Sequence, residues 1–270
     1  MGIKPHIMNG VALITGSASG IGRAVAHVFV EEGCTRLILA DLDDGGLRTV
    51  SDELKALNSD VQTCICICDV SSETDVQKMV DDGVQAFGAI HYAVNNAGVA
   101  SRPRVKTHEL EASAWDRVQN VNGRGAWLCE RAEIRQMLKQ EPSLTTRTGA
   151  PAQRGSIVNL ASIFAFATQN TNGAYSSSKA SVIGMTKTDA ITYAQDGIRV
   201  NSVCPGSTLT PLGLKSGTYP ADMTKPIPMG RLARSEEIAQ GIVFLASERA
   251  SFITGESLNI DGGSLSYYHF

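Results

Sequence analysis

Short apolar runs alternate along the chain with longer stretches of helical period. The runs are Val11–Ile14, Leu37–Ala40, a segment centred on Cys64 to Cys68, Ile90–Val94, Ser156–Leu160, Ile198–Val203 and Ser257–Ile260. Continuous apolar character at strand length predicts strands buried on both faces, hence a parallel sheet. Between them, helices are predicted at about 20–32, 45–57, 73–87, 113–139, 174–194 and 235–246. Ser72 is the expected N-cap of the third, with Asp75 in its first turn. Strand–helix alternation means βαβ units, whose right-handed crossovers place helices on both faces of one sheet. The expectation is an α/β, doubly wound, single domain over 1–270, built on a seven-stranded parallel sheet.

Two segments break the rhythm. Residues 141–154 (EPSLTTRTGAPAQR) read as an exposed loop. Residues 207–231 carry Pro211, Pro220, Pro226 and Pro228 and follow the carboxyl end of the sixth run, where ligands bind in such sheets. This second segment is the expected substrate loop, since loops of that length are commonly functional.

Composition adds exclusions. With 270 residues and 43% hydrophobic content the chain can bury a large core, so global disorder is excluded. A net charge of −3 with no basic cluster argues against nucleic acid as a partner. No apolar run reaches the roughly 18 residues of a membrane span. The first residues lack the pattern of a signal peptide, and His6 breaks a myristoylation signal. A cytoplasmic protein without membrane partners is the expectation. Six cysteines in a chain of this size do not indicate a disulfide framework. Cys64, Cys66 and Cys68 would share one face of a strand, and their spacing is unlike that of zinc sites. They are read as buried small hydrophobes in a strand covered on both faces, with no metal.

The first run leads into Thr15-Gly16-Ser17-Ala18-Ser19-Gly20-Ile21-Gly22. Glycines between a strand and a helix allow a tight turn and close approach of a pyrophosphate, which the helix N-terminus attracts. The spacing is GxxxGxG. Asp41 ends the second run, 19 residues after Gly22, near the spacing expected of a carboxylate that binds ribose hydroxyls. Such a carboxylate repels a 2′-phosphate, and no Lys or Arg stands at Ser17, Ala18, Ser19 or directly after Asp41. The pattern favours NAD over NADP.

Tyr175 and Lys179 lie four residues apart and share a helix face. A tyrosine titrates near 10, and a neighbouring cation favours its phenolate. Taken with the glycine loop, Asn95-Asn96-Ala97-Gly98, Ser162 and Pro205-Gly206, this pair resembles the short-chain dehydrogenase/reductase family over about residues 10–263. The resemblance implies a Rossmann-like domain that exchanges hydride between a nicotinamide cofactor and a CH–OH group. It implies Asn122, Ser162, Tyr175 and Lys179 as catalytic residues, with Asn122 bending its helix to hold a relay water. It implies cofactor contacts from Gly16, Ser19, Gly20, Ile21, Gly22, Asp41 and Leu42 around the phosphates and adenosine. Asp69 and Val70 would meet the adenine, and Asn96, Ala97 and Gly98 the adenosine ribose. Tyr175 and Lys179 would meet the nicotinamide ribose, and Pro205, Gly206, Thr208 and Thr210 the carboxamide.

The substrate is expected to be a medium-sized, largely apolar alcohol, seated among residues 99–103, 163–173 and 211–219. Phe164, Phe166, Leu212, Leu214 and Tyr219 are the apolar candidates there, and Thr168, Asn170 and Asn172 the polar ones. The wording around Gly125-Ala126-Trp127-Leu128 and residues 154–159 resembles fungal members of secondary metabolism. A homotetramer or homodimer is implied, with the aromatic tail (residues 265–270) against a neighbour. NAD-dependent oxidation of a secondary alcohol is the leading expectation. An NADPH-dependent ketone reductase and a non-catalytic dinucleotide-binding scaffold remain as alternatives.

Overall fold

Val11–Thr15 (β1) is an unbroken apolar run ending in Thr, and all five residues are buried. The computed structural model describes residues 8–146, 148–215, 224 and 227–266. The N-terminal hexapeptide, Tyr219, Pro220, Pro226 and the last four residues of the tail lie outside the described residues.

After β1 the chain runs through α1 (Gly20–Glu31), β2 (Arg36–Asp41), α2 (Asp44–Leu57), β3 (Gln62–Ile67), α3 (Glu73–Phe87) and β4 (Tyr92–Asn95). It continues through α4 (Ala112–Gln119), α5 (Ala126–Met137), β5 (Gly155–Leu160), α6 (Gly173–Thr192) and β6 (Ile198–Pro205). Last come β7 (Thr208–Leu209), α7 (Pro211–Lys215), β8 (Ala233–Arg234), α8 (Ser235–Ala246) and β9 (Ser257–Ile260). The sheet order is β3-β2-β1-β4-β5-β6-β9, and every pairing is parallel. The expected seven-stranded doubly wound sheet is therefore present. The order reverses between β1 and β4, which opens a crevice at their carboxyl ends.

Alternate residues of each strand feed two cores. Ala12, Ile14, Leu37, Leu39 and Val94 pack toward α1 and α8, with Phe29, Ile238 and Ile242 among their neighbours. Val11, Leu13, Ile38, Ala40 and Ala93 pack toward α3 and α5, with Met79, Leu128 and Met137. Full burial of each Val, Leu, Ile, Phe or Met among them contributes roughly 1.5–3 kcal/mol, and burial on both faces explains the lack of a period-2 pattern.

Three expectations need correction. β3 is an edge strand and is not covered on both faces: Cys66 and Cys68 are buried, but Ile67 is 62% exposed. The predicted helix over 113–139 is split by a π-helical turn at Asn120–Gly125. Gly123 and Gly125 pack there with Ser181 Oγ and Val70 only 3.0 Å from where a Cβ would stand. The substrate loop is not wholly irregular, since it includes β7 and α7. Ser72 does cap α3, accepting from the Asp75 N–H at 3.3 Å.

Between the sheet and helices α5 and α6 lies a buried polar ladder. Asn95 Nδ2 donates to Glu133 Oε2 and Asn159 Oδ1, both at 3.0 Å. Asn159 Nδ2 donates to Glu130 Oε2 at 2.9 Å and Thr186 Oγ1 at 3.0 Å. Burial pushes Glu133 up to about 8, against the opposing pull of Asn95, and pushes Glu130 upward as well. The unfolded chain releases the Glu133 proton near 4.5, whereas the folded protein holds it to about 8. Stability from this group is thus complete below about pH 4.5 and is lost as pH rises through 8. Urea denaturation at pH 5 and pH 8 should show a loss on the order of a few kcal/mol. Glu133→Gln should flatten that slope; an unchanged slope would remove Glu133 as its cause.

Candidate active site

The crevice at the strand ends is a cleft of about 480 Å³. Its floor at one end is the glycine turn. Gly16 and Gly20 sit at φ +67° and +56°, which a side chain rarely adopts. A Cβ at Gly22 would stand 2.2 Å from the Gly16 carbonyl oxygen. Ser19 is the N-cap of α1 without a side-chain cap bond, and the first turn carries no acid. The free N–H groups of that turn therefore suit an anion.

Asn96 braces this turn from β4. Its Nδ2 donates to the Thr15 and Gly16 carbonyls at 3.0 and 3.1 Å. Thr15 Oγ1 in turn accepts from the Asn96 and Ala97 N–H groups, both at 3.1 Å. The Asn96 amide nitrogen is thus engaged within the fold, and its Oδ1 is the atom left for a ribose. Asp41 is held at the end of β2 by N–H donors from Ala18 (3.1 Å), Leu42 (2.7 Å) and Asp43 (3.2 Å). Leu42 is exposed beside it. Asp69 accepts from Ser71 N–H and Oγ at 2.9 and 2.7 Å, so its carboxylate shapes its own turn, while Val70 lines the cleft.

These residues fit a dinucleotide: a glycine cradle that a Cβ would fill, a bare helix N-terminus and a fixed carboxylate near its mouth. Among the described residues, the cations lining the cleft are Arg104 and Lys179, both beside Tyr175 rather than Asp41.

At the other end three of the four expected catalytic side chains, Ser162, Tyr175 and Lys179, line the cleft. Tyr175 lies in the first turn of α6, with Phe164 packed edge-on at 6.4 Å between ring centroids. Burial pushes its phenol up, while the neighbouring Ser162 hydroxyl and the charge of Arg104 pull it down. Ser162 Oγ also accepts from the Phe164 N–H at 3.2 Å, which fixes the hydroxyl. Lys179 Nζ stands 5.9 Å from the Tyr175 ring centroid and donates to the Leu160 carbonyl at 2.6 Å. Burial brings this amine down to about 8. Arg104 therefore adds its charge to the surroundings of Tyr175, in addition to the nearby Lys179 amine.

Asn122 is buried under the cleft and does not line it. Its Oδ1 accepts from the Val99 N–H at 2.8 Å, and its Nδ2 donates to the Val99 carbonyl at 2.9 Å and to Ser178 Oγ at 3.2 Å. The side chain therefore clamps the loop after β4, and the widened π turn sits around it. Gly22 also lies behind the lining.

Pro205, Gly206, Thr208 and Thr210 line the wall between the two ends, with Ser19, Ile21, Ala97 and Gly98. Of the substrate candidates, Phe164, Asn172 and Leu212 line the cleft. Phe166, Thr168, Asn170 and Leu214 do not; Thr168 is turned to Ser176 Oγ at 2.7 Å. Tyr219 lies outside the described residues. Sequence reasoning missed Arg104, one residue beyond the expected 99–103 stretch. It also missed Cys68, Val121, Leu160 and Ala161, which line the cleft from positions that look like core.

Known proteins agree with this geometry. The family model described as enoyl-(acyl carrier protein) reductase matches residues 16–264. A cis-4-hydroxycyclohexanecarboxylate dehydrogenase from Sinomonas cyclohexanicum is 38% identical over 94% of this chain and 95% of its own. The short-chain dehydrogenase anuF of Penicillium roqueforti is 34% identical over 95% of this chain and 96% of its own. The crystal structure of levodione reductase superposes with a TM-score of 0.88 at 30% identity, covering 97% of this chain and all of that one. The fold and site define a nucleotide-dependent oxidoreductase of the doubly wound class. The chain belongs to the short-chain dehydrogenase/reductase family.

Proposed function

We propose that the protein is an NAD-dependent dehydrogenase that oxidises a ring-borne or similarly compact secondary alcohol to a ketone. The observation that carries the reading is the convergence of Ser162, Tyr175 and Lys179 at the end of a cleft whose other end is a glycine cradle. Bound NAD⁺ would accept the hydride from the alcohol carbon. Ser162 holds the reacting oxygen. Tyr175, once ionised, takes the hydroxyl proton, and a ketone remains. Lys179 orients the nicotinamide ribose from the buried side, and Asn122 sets the loop that carries Val99 by gripping both of its backbone polar groups. Ile163, Phe164 and Leu212 give the substrate end an apolar body. The name of the Sinomonas relative describes an alcohol on a cyclohexane ring, which suits a pocket of that character. The likeness to the Penicillium relative supports, more loosely, a place in fungal secondary metabolism.

Asp41 favours NAD because its carboxylate repels a 2′-phosphate and, among the described residues, the lining cations stand beside Tyr175. Calorimetric titration with NAD⁺, NADH, NADP⁺ and NADPH in parallel tests this, and tighter binding of NADP(H) would reverse the reading. Asp41→Ala removes the repelling carboxylate and should narrow the NAD/NADP preference by about tenfold, equivalent to about 1.4 kcal/mol. A preference that survives the change would assign selectivity to another group.

We further propose a homotetramer or homodimer. The support is apolar surface on the long helices, with Trp127 on α5 42% exposed and Ile191 on α6 79% exposed, together with the free edge of β9. Light scattering that gives a monomer mass would overturn it.

A further inference from the structure

Arg104 stands in the substrate half of the cleft without a counter-charge among the described residues. It lines the cleft with Phe164, Tyr175 and Leu212, and none of its nitrogens lies within ion-pair distance of a carboxylate among the described residues. Among the described residues its one hydrogen bond is a long one, from Nη1 to Gln169 Oε1 at 3.4 Å, and its Nε is buried with no partner. Most other arginines are spoken for. Arg23, Arg48, Arg131, Arg231 and Arg249 pair with carboxylates, and Arg199 is solvated by four carbonyls. A half-buried guanidinium left with spare donors is costly unless something supplies acceptors.

A second polar group points the same way. Asn172 is 2% exposed, lines the cleft, and its side-chain amide makes no hydrogen bond among the described residues. Gln169 joins the two, since it accepts from Arg104 and its carbonyl accepts from the Asn172 N–H at 3.3 Å. Both acids that line the cleft, Asp41 and Asp69, belong to the glycine-turn end.

We propose that the substrate is anionic, carrying a carboxylate away from its reacting carbon, and that Arg104 binds that carboxylate with Asn172 as a neutral donor beside it. This rests on the reading of the cleft as a dehydrogenase site, and it replaces an all-apolar substrate by an apolar body with one charged end. The guanidinium offers parallel donors that match a carboxylate, and such bonds are about twice as strong as neutral ones. The same charge faces Tyr175, so an anion seated on Arg104 also weakens its pull on the phenol.

The test is a binding measurement with cyclohexanecarboxylate and its uncharged isostere cyclohexanecarboxamide, made on the NADH-loaded protein and again without dinucleotide. The wild type should bind the acid at least about tenfold more tightly than the amide, the value of one charge-assisted bond. Arg104→Gln should abolish that preference, and Arg104→Lys should keep part of it. Equal affinity for acid and amide in the wild type overturns the proposal, as does a preference that persists in Arg104→Gln. The NADH titration in the same series reports separately on the dehydrogenase reading. A protein that ignores NADH but discriminates acid from amide would refute that reading and leave the anion site standing. The pH–rate profile adds a readout that a purely structural arginine would not move. Loss of the positive charge should carry the ascending limb assigned to Tyr175 to higher pH.

Discussion

Tyr175→Phe should reduce turnover by at least about 10³-fold, within the range attributed to a lost general acid or base, while NADH still binds within a few-fold of the wild type. The substitution removes one oxygen and nothing else. The ring keeps its edge-on contact with Phe164, and the helix that carries it is unchanged. The glycine cradle at the far end of the cleft makes no use of the phenol. Ser162 would retain its bond from the Phe164 N–H, so the partner hydroxyl stays in place. Steady-state oxidation of secondary alcohols and dinucleotide titration of the same preparation check the two halves. Full turnover would sink the mechanism; loss of turnover together with loss of binding would mean that the fold had been damaged instead.

Gly22→Ala should cost the protein its dinucleotide affinity, by about 100-fold or more, because a collision with backbone cannot be relieved by a rotamer change. The new methyl would stand 2.2 Å from the Gly16 oxygen and 2.6 Å from Asn96 Nδ2. These are the two atoms whose mutual hydrogen bond at 3.1 Å braces the turn. Relief requires the turn to open, and Gly16 already uses a conformation that only glycine adopts readily. Overpacking of this kind also destabilises by roughly 1–3 kcal/mol. Gly45→Ala is the control. Its Cβ would meet only Asp43 Oδ1, at 3.5 Å, and α2 should gain from the better helix former. NADH titration and thermal melting of both variants check the contrast. A Gly22→Ala protein that binds like the wild type would show that the cradle is looser than its contacts imply.

Much of this architecture was legible because its signals are local. Five-residue apolar runs such as Val11–Thr15 announce a strand buried on both sides, and the glycine spacing with Asp41 announces where a dinucleotide would lie. The break in the helix at Asn122 was foreseen only as a bend implied by resemblance. The π turn itself depends on Gly123 and Gly125 meeting Ser181 and Val70, which are distant in sequence. The edge position of β3 was misread for a related reason. Alternating Cys and Ile describe both faces of a strand equally well, and only the sheet order decides which of them meets solvent. Asn96 is a third case. Its place beside a ribose follows from the motif, but its bond to the Gly16 carbonyl needs β1 and β4 to be neighbours.

The sequence by itself determined the alternation of strands and helices, the parallel sheet, the glycine turn before α1 and the Tyr175–Lys179 pair on one helical face, because each depends on residues within a few positions of one another. Tertiary structure alone decided that the charge of Arg104 also acts on Tyr175. Lys179 shares its helix yet sends its amine to the Leu160 carbonyl. Arg104 stands 71 positions away in the chain, lines the same cleft and lowers the phenol through its charge. It likewise decided that Glu130 and Glu133, two ordinary helical carboxylates in sequence, hold their protons under a roof of buried asparagines. The physical reason is common to both. Spacing along a helix or strand fixes direction, but field strength and solvation depend on what the fold packs against a group, and those neighbours come from remote parts of the chain.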